Sequence, residues 1–234
     1  MEQATFETAG GRPVPAVTAA EMRDVDRVAV ESFGIEVLQM MEHAGRALAG
    51  AAIERAEGPV TVLVGNGGNG GGGLCCARHL RNRGVDVRVV MDRAPGQLTG
   101  PAAHHHATLR EMGVPVAVGP DAPNAGAGLV VDALVGYGLG GPLRGTAAEL
   151  VEATADATVV SLDVPSGVNA TTGERPGVAV DADSVVTLAL PKTGLAGYRG
   201  DLVLADIGLP AGVYAELDVP PFDFPAFAVG ITPS

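Results

Sequence analysis

The sequence predicts an α/β protein in which a mostly parallel β-sheet lies between two layers of helices. Short, unbroken aliphatic runs, such as residues 60–64, are typical of strands that are covered on both faces. Segments with apolar residues at three- to four-residue spacing alternate with these runs, as expected for helical crossovers between parallel strands. A chain of 234 residues is long enough to bury such a core in one domain.

The composition excludes several classes of protein. Glycine and proline supply 34 and 17 residues, but 47% of the chain is hydrophobic, which fits neither collagen nor a wholly disordered protein. A net charge of −12 repels nucleic acids and anionic membranes, and 3% aromatic residues offer little surface for stacking on bases. We therefore expect no nucleic-acid or membrane partner. Two adjacent cysteines and the lack of an apolar leader indicate a cytoplasmic protein.

The N-terminal part predicts a mobile arm followed by two helices. Residues 1–16 are polar and rich in proline and glycine, which is typical of a flexible terminus. Thr18 and Glu21 have the spacing of a capping box, and the helix that they begin is expected to end near Gly34. The second helix has apolar or small residues at helical spacing, namely Leu38, Met41, Gly45, Leu48 and Ala52.

Strands and helices are predicted to alternate along the remainder. The aliphatic runs predict seven strands, at residues 60–64, 85–91, 114–118, 129–132, 158–163, 184–190 and 202–205. Helices between them are expected to end at Gly84 and Gly113 and to span residues 146–155. Residues 17–209 would form the domain, and the proline-rich residues 210–234 would form an extension over its surface.

A glycine-rich segment follows the first of these strands. Residues 65–70, Gly-Asn-Gly-Gly-Asn-Gly, match the pattern G-x-G-x-x-G, in which glycines let the backbone approach a phosphate at a helix N-terminus. Asp92 lies 22 residues beyond Gly70, where dinucleotide-binding folds hold the ribose. The segment therefore indicates an anion or nucleotide loop, and a plain tight turn is the alternative.

Further polar residues follow other predicted strands. Asp132 ends one aliphatic run and precedes the glycine-rich residues 133–142, while Asp163 ends another and precedes a turn that presents Ser166. Lys192 follows a third run, where it would contact phosphate or cap its turn. Ligand crevices form at the carboxyl ends of parallel strands, so we expect these segments to converge on one cleft. Each acid could alternatively cap its own turn.

Together these segments resemble the YjeF N-terminal domain family, the NAD(P)H-hydrate epimerases. The resemblance covers about residues 17–208, and its marks are residues 40–45, 65–74, 132–142, 163–167 and 191–192. It implies a Rossmann-like three-layer α/β/α sandwich and a homodimer. It also implies interconversion of the R and S epimers of hydrated NADH and NADPH, which carry a hydroxyl group at C6 of the reduced nicotinamide ring.

The resemblance implies a set of site residues as well. Asp163 would be the catalytic acid and base, because a carboxylate beside the ring can supply and accept the protons that departing hydroxyl and returning water require. A potassium ion would be held by the oxygen donors of Asn69, Asp132 and Ser166. The substrate would lie against Gly68, Asn69, Gly70, Gly71, Gly72, Gly136, Tyr137, Gly138, Leu139, Gly140, Gly141, Pro142 and Asp163.

The first loop departs from the family pattern. Members usually read Asn-Asn-Gly-Gly-Asp-Gly there, whereas this chain has Gly68 in place of the first Asn and Gly72 in place of the Asp. Each replacement removes a polar contact worth about 0.5–1.5 kcal/mol. A non-catalytic nucleotide-binding or dimerising scaffold module is therefore one alternative, and an NAD-dependent oxidoreductase using Asp92 is another. If the chain is an epimerase, we expect functional coupling to a separate NAD(P)H-hydrate dehydratase.

Overall fold

The computed structural model describes residues 6–120, 128–217 and 219–234. Within them, ten strands span Phe6–Thr8 (β1), Pro13–Val14 (β2), Val60–Val64 (β3), Val87–Met91 (β4), Val116–Val118 (β5), Leu129–Ala133 (β6), Thr158–Leu162 (β7), Ser184–Leu188 (β8), Asp201–Ala205 (β9) and Ala228–Pro233 (β10). Six α-helices span Ala19–Glu31 (α1), Val37–Arg55 (α2), Gly68–Arg81 (α3), Gly100–Glu111 (α4), Thr146–Glu152 (α5) and Ala211–Ala215 (α6).

All ten strands form one sheet, in the order β2-β1-β10-β9-β8-β7-β6-β3-β4-β5. The seven strands from β9 to β5 are parallel, and β10, β1 and β2 continue the sheet in antiparallel pairing. Helices α2, α3 and α4 pack on one face of the parallel part, and α5 packs on the other. The predicted Rossmann-like three-layer α/β/α fold is confirmed.

The central strands are buried on both faces. Val62 and Val64 of β3 pack among residues of α2, α3 and α4, whereas Leu63 packs against Leu150 and Val151 of α5. Every residue of β3 and β6 is buried. This double burial explains the unbroken aliphatic runs, because neither face of these strands requires polar residues.

Both ends of the chain contribute to the sheet, which corrects two predictions. Phe6 is fully buried, and β1 pairs with β10, which in turn pairs with β9. The mobile arm predicted for residues 1–16 is therefore wrong for residues 6–14, while residues 1–5 lie outside the described part. Residues 210–234 likewise include a strand and a helix rather than only a surface extension. Their pattern is weak because strand β10 buries only Ile231 fully.

Only the first three residues of the glycine-rich segment after β3 form a loop, and the remainder is helical, which corrects a third prediction. Helix α3 begins at Gly68. A Cβ atom at Gly70 would lie 1.9 Å from the carbonyl oxygen of Gly65, and one at Gly45 would lie 2.6 Å from Cβ of Cys75. Both contacts are far too short for a side chain, so these glycines let α3 approach β3 and α2 closely.

The predicted capping box at the start of α1 is confirmed. The amide of Glu21 donates a hydrogen bond to Oγ1 of Thr18 (3.2 Å), and the amide of Thr18 donates one to Oε2 of Glu21 (2.7 Å). These bonds fix the beginning of a helix that borders the cleft described below. None of the helices in the described ranges is both long and apolar enough to span a membrane.

Candidate active site

A cavity of about 540 Å³ opens above the carboxyl ends of the central strands. From β3 the strand order runs towards β5 on one side, and from β6 it runs towards β9 on the other. Such a reversal separates the connecting loops and leaves a crevice at the sheet edge. Helices α1 and α2 form the opposite wall through Met22, Asp26 and Met40. The cleft predicted from the spacing of polar residues therefore exists.

The cavity is lined by part of the predicted substrate site. The residues that line it are Gly68, Asn69, Gly72, Gly136, Tyr137, Gly138 and Asp163. Six other predicted residues are not among its lining residues, namely Gly70, Gly71, Leu139, Gly140, Gly141 and Pro142. Gly70 and Gly71 face neighbouring elements rather than the cavity, since a Cβ atom at Gly71 would lie 2.5 Å from Cε of Met41 on α2. Pro142 lies against Gly177, outside the cleft.

Asp163 lies on the floor of the cleft, directly after β7. The residue is 2% exposed. Its Oδ1 atom lies 2.6 Å from Nζ of Lys192, and its Oδ2 atom accepts a hydrogen bond from the backbone amide of Tyr137 (3.0 Å). The two carboxylate oxygens are thus held by an ammonium group and a backbone amide, which fix the orientation of Asp163 at the cleft.

Lys192 is a buried counter-ion rather than a surface phosphate contact. Its side chain is 1% exposed, and Nζ donates hydrogen bonds to the carbonyl oxygens of Leu188 (2.8 Å) and Leu190 (3.0 Å). With Asp163, these two acceptors use all three N–H donors of the ammonium group. Both sequence-based interpretations of Lys192 omitted this pairing, because the turn that bears it gives no sign of Asp163, 29 positions earlier.

The backbone around this ion pair is strained at two positions. Asp163 has a φ angle of 69° and Ala189 one of 61°, and they are the non-glycine residues with positive φ in the described ranges. The amide of Val164 donates to the carbonyl of Leu162 (2.9 Å), and that of Leu190 donates to the carbonyl of Leu188 (2.7 Å). Each is a γ-turn with positive central φ, a rare conformation that clusters at functional sites.

Asp132 is buried at the end of the neighbouring strand β6 and does not line the cavity. Its Oδ1 atom accepts hydrogen bonds from the amide of Leu134 (3.2 Å) and from Oγ of Ser166 (2.6 Å). Its Oδ2 atom accepts from Oγ of Ser161 (2.8 Å) and from the amide of Ser166 (2.9 Å). Burial raises the pKa of Asp132, and these bonds oppose the effect without cancelling it.

Asn69, in the first turn of α3, links that helix to the strand end that bears Asp163. Its Nδ2 atom donates a hydrogen bond to the carbonyl oxygen of Leu162 (3.3 Å). A Cβ atom at Gly136 would lie 2.8 Å from Oδ1 of Asn69 and 3.1 Å from Oδ2 of Asp163. The amide oxygen and the carboxylate therefore meet at Gly136, where any side chain would collide with both.

The predicted potassium ligands supply suitable donor atoms but are already engaged. Asn69, Asp132 and Ser166 offer the oxygen ligands that a hard cation takes. The four lone-pair positions of Asp132 all accept protein hydrogen bonds, however. Ser166 can release one of them, because its Oγ atom also lies 3.2 Å from the carbonyl oxygen of Val135. One acceptor position of Asp132 is then free for a cation.

Comparisons with known proteins show the family of the chain. A family model described as "YjeF-related protein N-terminus" matches residues 37–194. The NAD(P)H-hydrate epimerase of Dehalogenimonas lykanthroporepellens is 41% identical over 95% of this chain and 94% of its own length. The chain belongs to the NAD(P)H-hydrate epimerase family. The family predicted from the sequence, a family of isomerases, is thereby confirmed.

Other similar proteins extend this result. The NAD(P)H-hydrate epimerase of Rhodopirellula baltica is 36% identical over 88% of this chain and 89% of its own. The bifunctional NAD(P)H-hydrate repair enzyme Nnr of Salinibacter ruber is 39% identical over 84% of this chain, which matches 41% of that longer protein. The crystal structure of yeast YNL200c has a TM-score of 0.80 at 23% identity and covers 93% of this chain and 100% of its own, which shows the shared fold.

For this epimerase-family site, sequence analysis missed Asp26. The residue lies on α1 and lines the cavity, and the hydroxyl group of Tyr137 donates a hydrogen bond to its Oδ2 atom. Burial raises the pKa of Asp26, while the bond from Tyr137 and the charge of Lys192 act against the shift. Asp26 follows Met22 by four residues and therefore shares its helix face. An acidic residue among the apolar residues of that face could have indicated a site residue in the sequence.

Asp92, the ribose-binding candidate of the oxidoreductase alternative, also lines the cavity. Both of its carboxylate oxygens are paired with the neighbouring Arg93, at 2.8 Å from Nε and 2.6 Å from Nη2. The carboxylate is thus held by a two-pronged contact at the mouth of the cleft.

A second polar cluster lies between α2 and α3, outside the cleft. Ligand atoms of Glu42, Cys75 and His79 lie within 4.8 Å of one another. Arg78 is hydrogen-bonded to Glu42 and contacts both other groups. Burial would raise the pKa of Glu42, but hydrogen bonds from Arg78, Cys75 and His79 lower it to about 2. Burial raises the pKa of Cys75 to about 12, so its thiol stays protonated within an ion-pair network.

Proposed function

We propose that this protein epimerises hydrated NADH and NADPH, with Asp163 as an acid–base group. The observation that carries the proposal is the buried Asp163–Lys192 pair on the floor of a nucleotide-sized cleft. Similar proteins named NAD(P)H-hydrate epimerase support the choice of substrate. A buried ion pair rarely adds net stability, so its position at the cleft supports a chemical role.

The reaction exchanges a hydroxyl group between the two faces of a ring carbon. The nitrogen beside C6 donates its lone pair as the C6–O bond breaks and water departs. Water then adds to the other face and loses a proton. Asp163, as a carboxylate beside Lys192, is the group that accepts this proton, and in the reverse direction it returns the proton.

We further propose that a potassium ion is held by Asn69, Asp132 and Ser166. When bound, the ion would keep the first turn of α3 and the loop that bears Ser166 in register around Asp163. At ten times its Kd, potassium is expected to raise the free energy of unfolding by about 1.4 kcal/mol. The melting temperature should therefore be higher in potassium than in sodium of equal ionic strength. Differential scanning fluorimetry measures the melting temperature in both salts. Equal values would contradict the proposed potassium site.

A coupled assay tests the reaction itself. The R epimer of hydrated NADPH is supplied with a dehydratase specific for the S epimer, and regenerated NADPH is followed by its absorbance. Adding the protein should accelerate regeneration. An unchanged rate in potassium and in sodium, with a binding signal for NADPH in titration calorimetry, would favour the nucleotide-binding scaffold instead.

The two glycines of the first loop favour that scaffold as a second candidate. Gly68 leaves open space where relatives of the family usually have Asn, and nothing lies within 4 Å of a Cβ atom there. The polar contact is missing, but the space for a ligand is retained. The pairing of Asp163 with Lys192 would have no purpose in a module that only binds, and this weighs towards catalysis.

The assembly around the reaction is also proposed. We infer functional coupling to an NAD(P)H-hydrate dehydratase, since the Salinibacter ruber relative is named as a bifunctional repair enzyme. The homodimer that the family resemblance implies is proposed with it. Light scattering after size exclusion tests the homodimer. A mass of one chain at micromolar concentration would contradict it.

A further inference from the structure

Two carboxylates approach the cleft at opposite ends of one tyrosine. The backbone amide of Tyr137 donates to Oδ2 of Asp163 (3.0 Å), and its hydroxyl group donates to Oδ2 of Asp26. All three residues line the cavity. Asp26 comes from α1 and Asp163 from the end of β7, so the two acids reach the cavity from different elements, and Tyr137 is hydrogen-bonded to both.

Epimerisation requires proton transfer on both faces of the ring. The hydroxyl group leaves from one face with an added proton, and water enters on the other face and loses one. Asp163 is held on the floor in a turn with positive φ, which favours its action on one face of a planar ring. A second acid on the facing wall meets the requirement.

We propose that Asp26 is the second proton-transfer residue of this reaction, acting from the wall opposite Asp163. The inference rests on the proposed function. In one direction, the Asp26 carboxylic acid protonates the C6 hydroxyl group, the C6–O bond breaks, and the nitrogen lone pair forms a C=N bond as water leaves. Water then adds at C6 from the other face, the nitrogen regains its lone pair, and the Asp163 carboxylate takes the released proton.

The proton balance closes through solvent. One proton passes from Asp26 to Asp163 in each turnover, and exchange with water at the open mouth of the cleft restores both groups. In the opposite direction Asp163 is the acid and Asp26 the base, so the same pair serves R-to-S and S-to-R conversion. No oxidant, reductant or further reactant is needed.

The surroundings of the two acids suit this division of roles. Asp163 has an ammonium partner at 2.6 Å, whereas Asp26 forms no ion pair within the residues described. Burial raises the pKa of Asp26, which lets it hold a proton at higher pH than an exposed aspartate. The titratable and charged groups facing Asp26 are Arg23 on the same helix, Tyr137, Asp163 and Lys192 at the sheet edge, and Tyr214 on α6.

Asp26→Asn separates the chemical role from a merely structural one. The amide keeps an oxygen for the Tyr137 hydroxyl group but cannot release a proton. We expect kcat to fall about 10²- to 10⁴-fold with KM changed less than about threefold, the usual effect of losing an acid–base group. The fall of kcat at high pH, where wild-type Asp26 ionises, should disappear. Asp26→Glu, which retains a carboxyl group, should recover part of the rate.

Matched variants complete the experiment. Asp24→Asn removes an exposed charge from the same helix, where Asp24 pairs with Arg27, and should leave kcat and its pH profile unchanged. Tyr137→Phe removes a hydrogen bond that favours the ionised form of Asp26. The high-pH limb should therefore move upward in pH.

Three outcomes would overturn the inference. Near-normal kcat in folded Asp26→Asn, checked by circular dichroism, would refute it while leaving the proposed function intact. A raised KM with normal kcat and an unchanged pH profile would assign Asp26 to positioning only. A wild-type protein without epimerase activity would overturn the proposed function, and this inference with it.

Discussion

Two aspartates end adjacent strands at the same sheet edge, yet their surroundings differ completely. Asp132 at the end of β6 is enclosed by four neutral hydrogen-bond donors. Asp163, just beyond β7, has one amide donor and one ammonium partner, and it lines the cleft. A carboxylate whose acceptor positions are all filled fixes loops, whereas one that lines the cleft beside a single cation suits the proposed proton transfer. Residue type and strand position alone do not separate these roles.

The largest expected effect comes from Asp163→Asn. The amide cannot accept a proton, so epimerisation should fall about 10²- to 10⁴-fold. Far-ultraviolet circular dichroism should match the wild type, because the amide oxygen still accepts a bond from Lys192. Near-normal turnover in the coupled assay would contradict the proposed role of Asp163 in proton transfer.

Lys192→Met tests the ion pair from its other side. It leaves the buried Asp163 charge without a counter-ion, which should lower the free energy of unfolding by about 3–5 kcal/mol. Urea denaturation measures the loss. The double variant with Asp163→Asn should recover much of it. Equal stability of the single and double variants would mean that the two groups are not coupled.

Asp132→Asn is expected to cost about 1–3 kcal/mol, because an amide replaces two acceptor positions with donors that face other donors. Burial raises the pKa of Asp132 above 3.8, so the folded state binds its proton more tightly than the unfolded state. The stability that Asp132 contributes to the wild-type protein is fully present below pH 3.8, and it declines as pH rises through the raised pKa of the folded state.

The loss caused by Asp132→Asn should accordingly shrink as pH increases above about 4. Thermal melts of both proteins at several pH values measure the difference. A gap that widens with pH would show that Asp132 is ionised in the folded state throughout, and would make it more like Asp163.

The smallest expected effect is a gain. Gly68→Asn introduces a polar group into open space at the cleft, and it should lower KM up to about tenfold, equivalent to about 0.5–1.5 kcal/mol. Gly72→Asp is the contrasting variant, because a Cβ atom there would lie 2.7 Å from Cδ2 of Leu162. It should lower stability instead. If Gly68→Asn and Gly72→Asp have the same KM, the difference in free space at the two positions does not determine substrate binding.

Sequence patterns predicted the parallel half of the molecule better than the antiparallel half. Strands such as β3 and β7 are covered on both faces and appear as aliphatic runs. Strand β1 buries Phe6 but exposes Glu7, and β2 has two residues, so neither has a recognisable run. Strand β1 pairs with β10, more than 200 positions away, and β2 joins the sheet by pairing with β1.

The site was predictable to the extent that polar residues follow strands. That rule found Asp132 and Asp163, since parallel strands bring their carboxyl ends to one edge, whereas Asn69 came from the family resemblance. It could not find Asp26, which reaches the cleft from a helix. Nor could it assign Lys192 to Asp163, because γ-turns at two strand ends determine that contact and periodicity does not encode them.

The only lysine in the chain is the one sealed on the cleft floor, 5.9 Å from the ring centroid of Tyr137. Acylating reagents that attack lysine amines therefore meet no such group on the native surface. A polypeptide acylated at that nitrogen while open would lose the ammonium charge and gain bulk, so it could not close again. The rate of lysine labelling would thus report how often the protein opens far enough to expose Lys192.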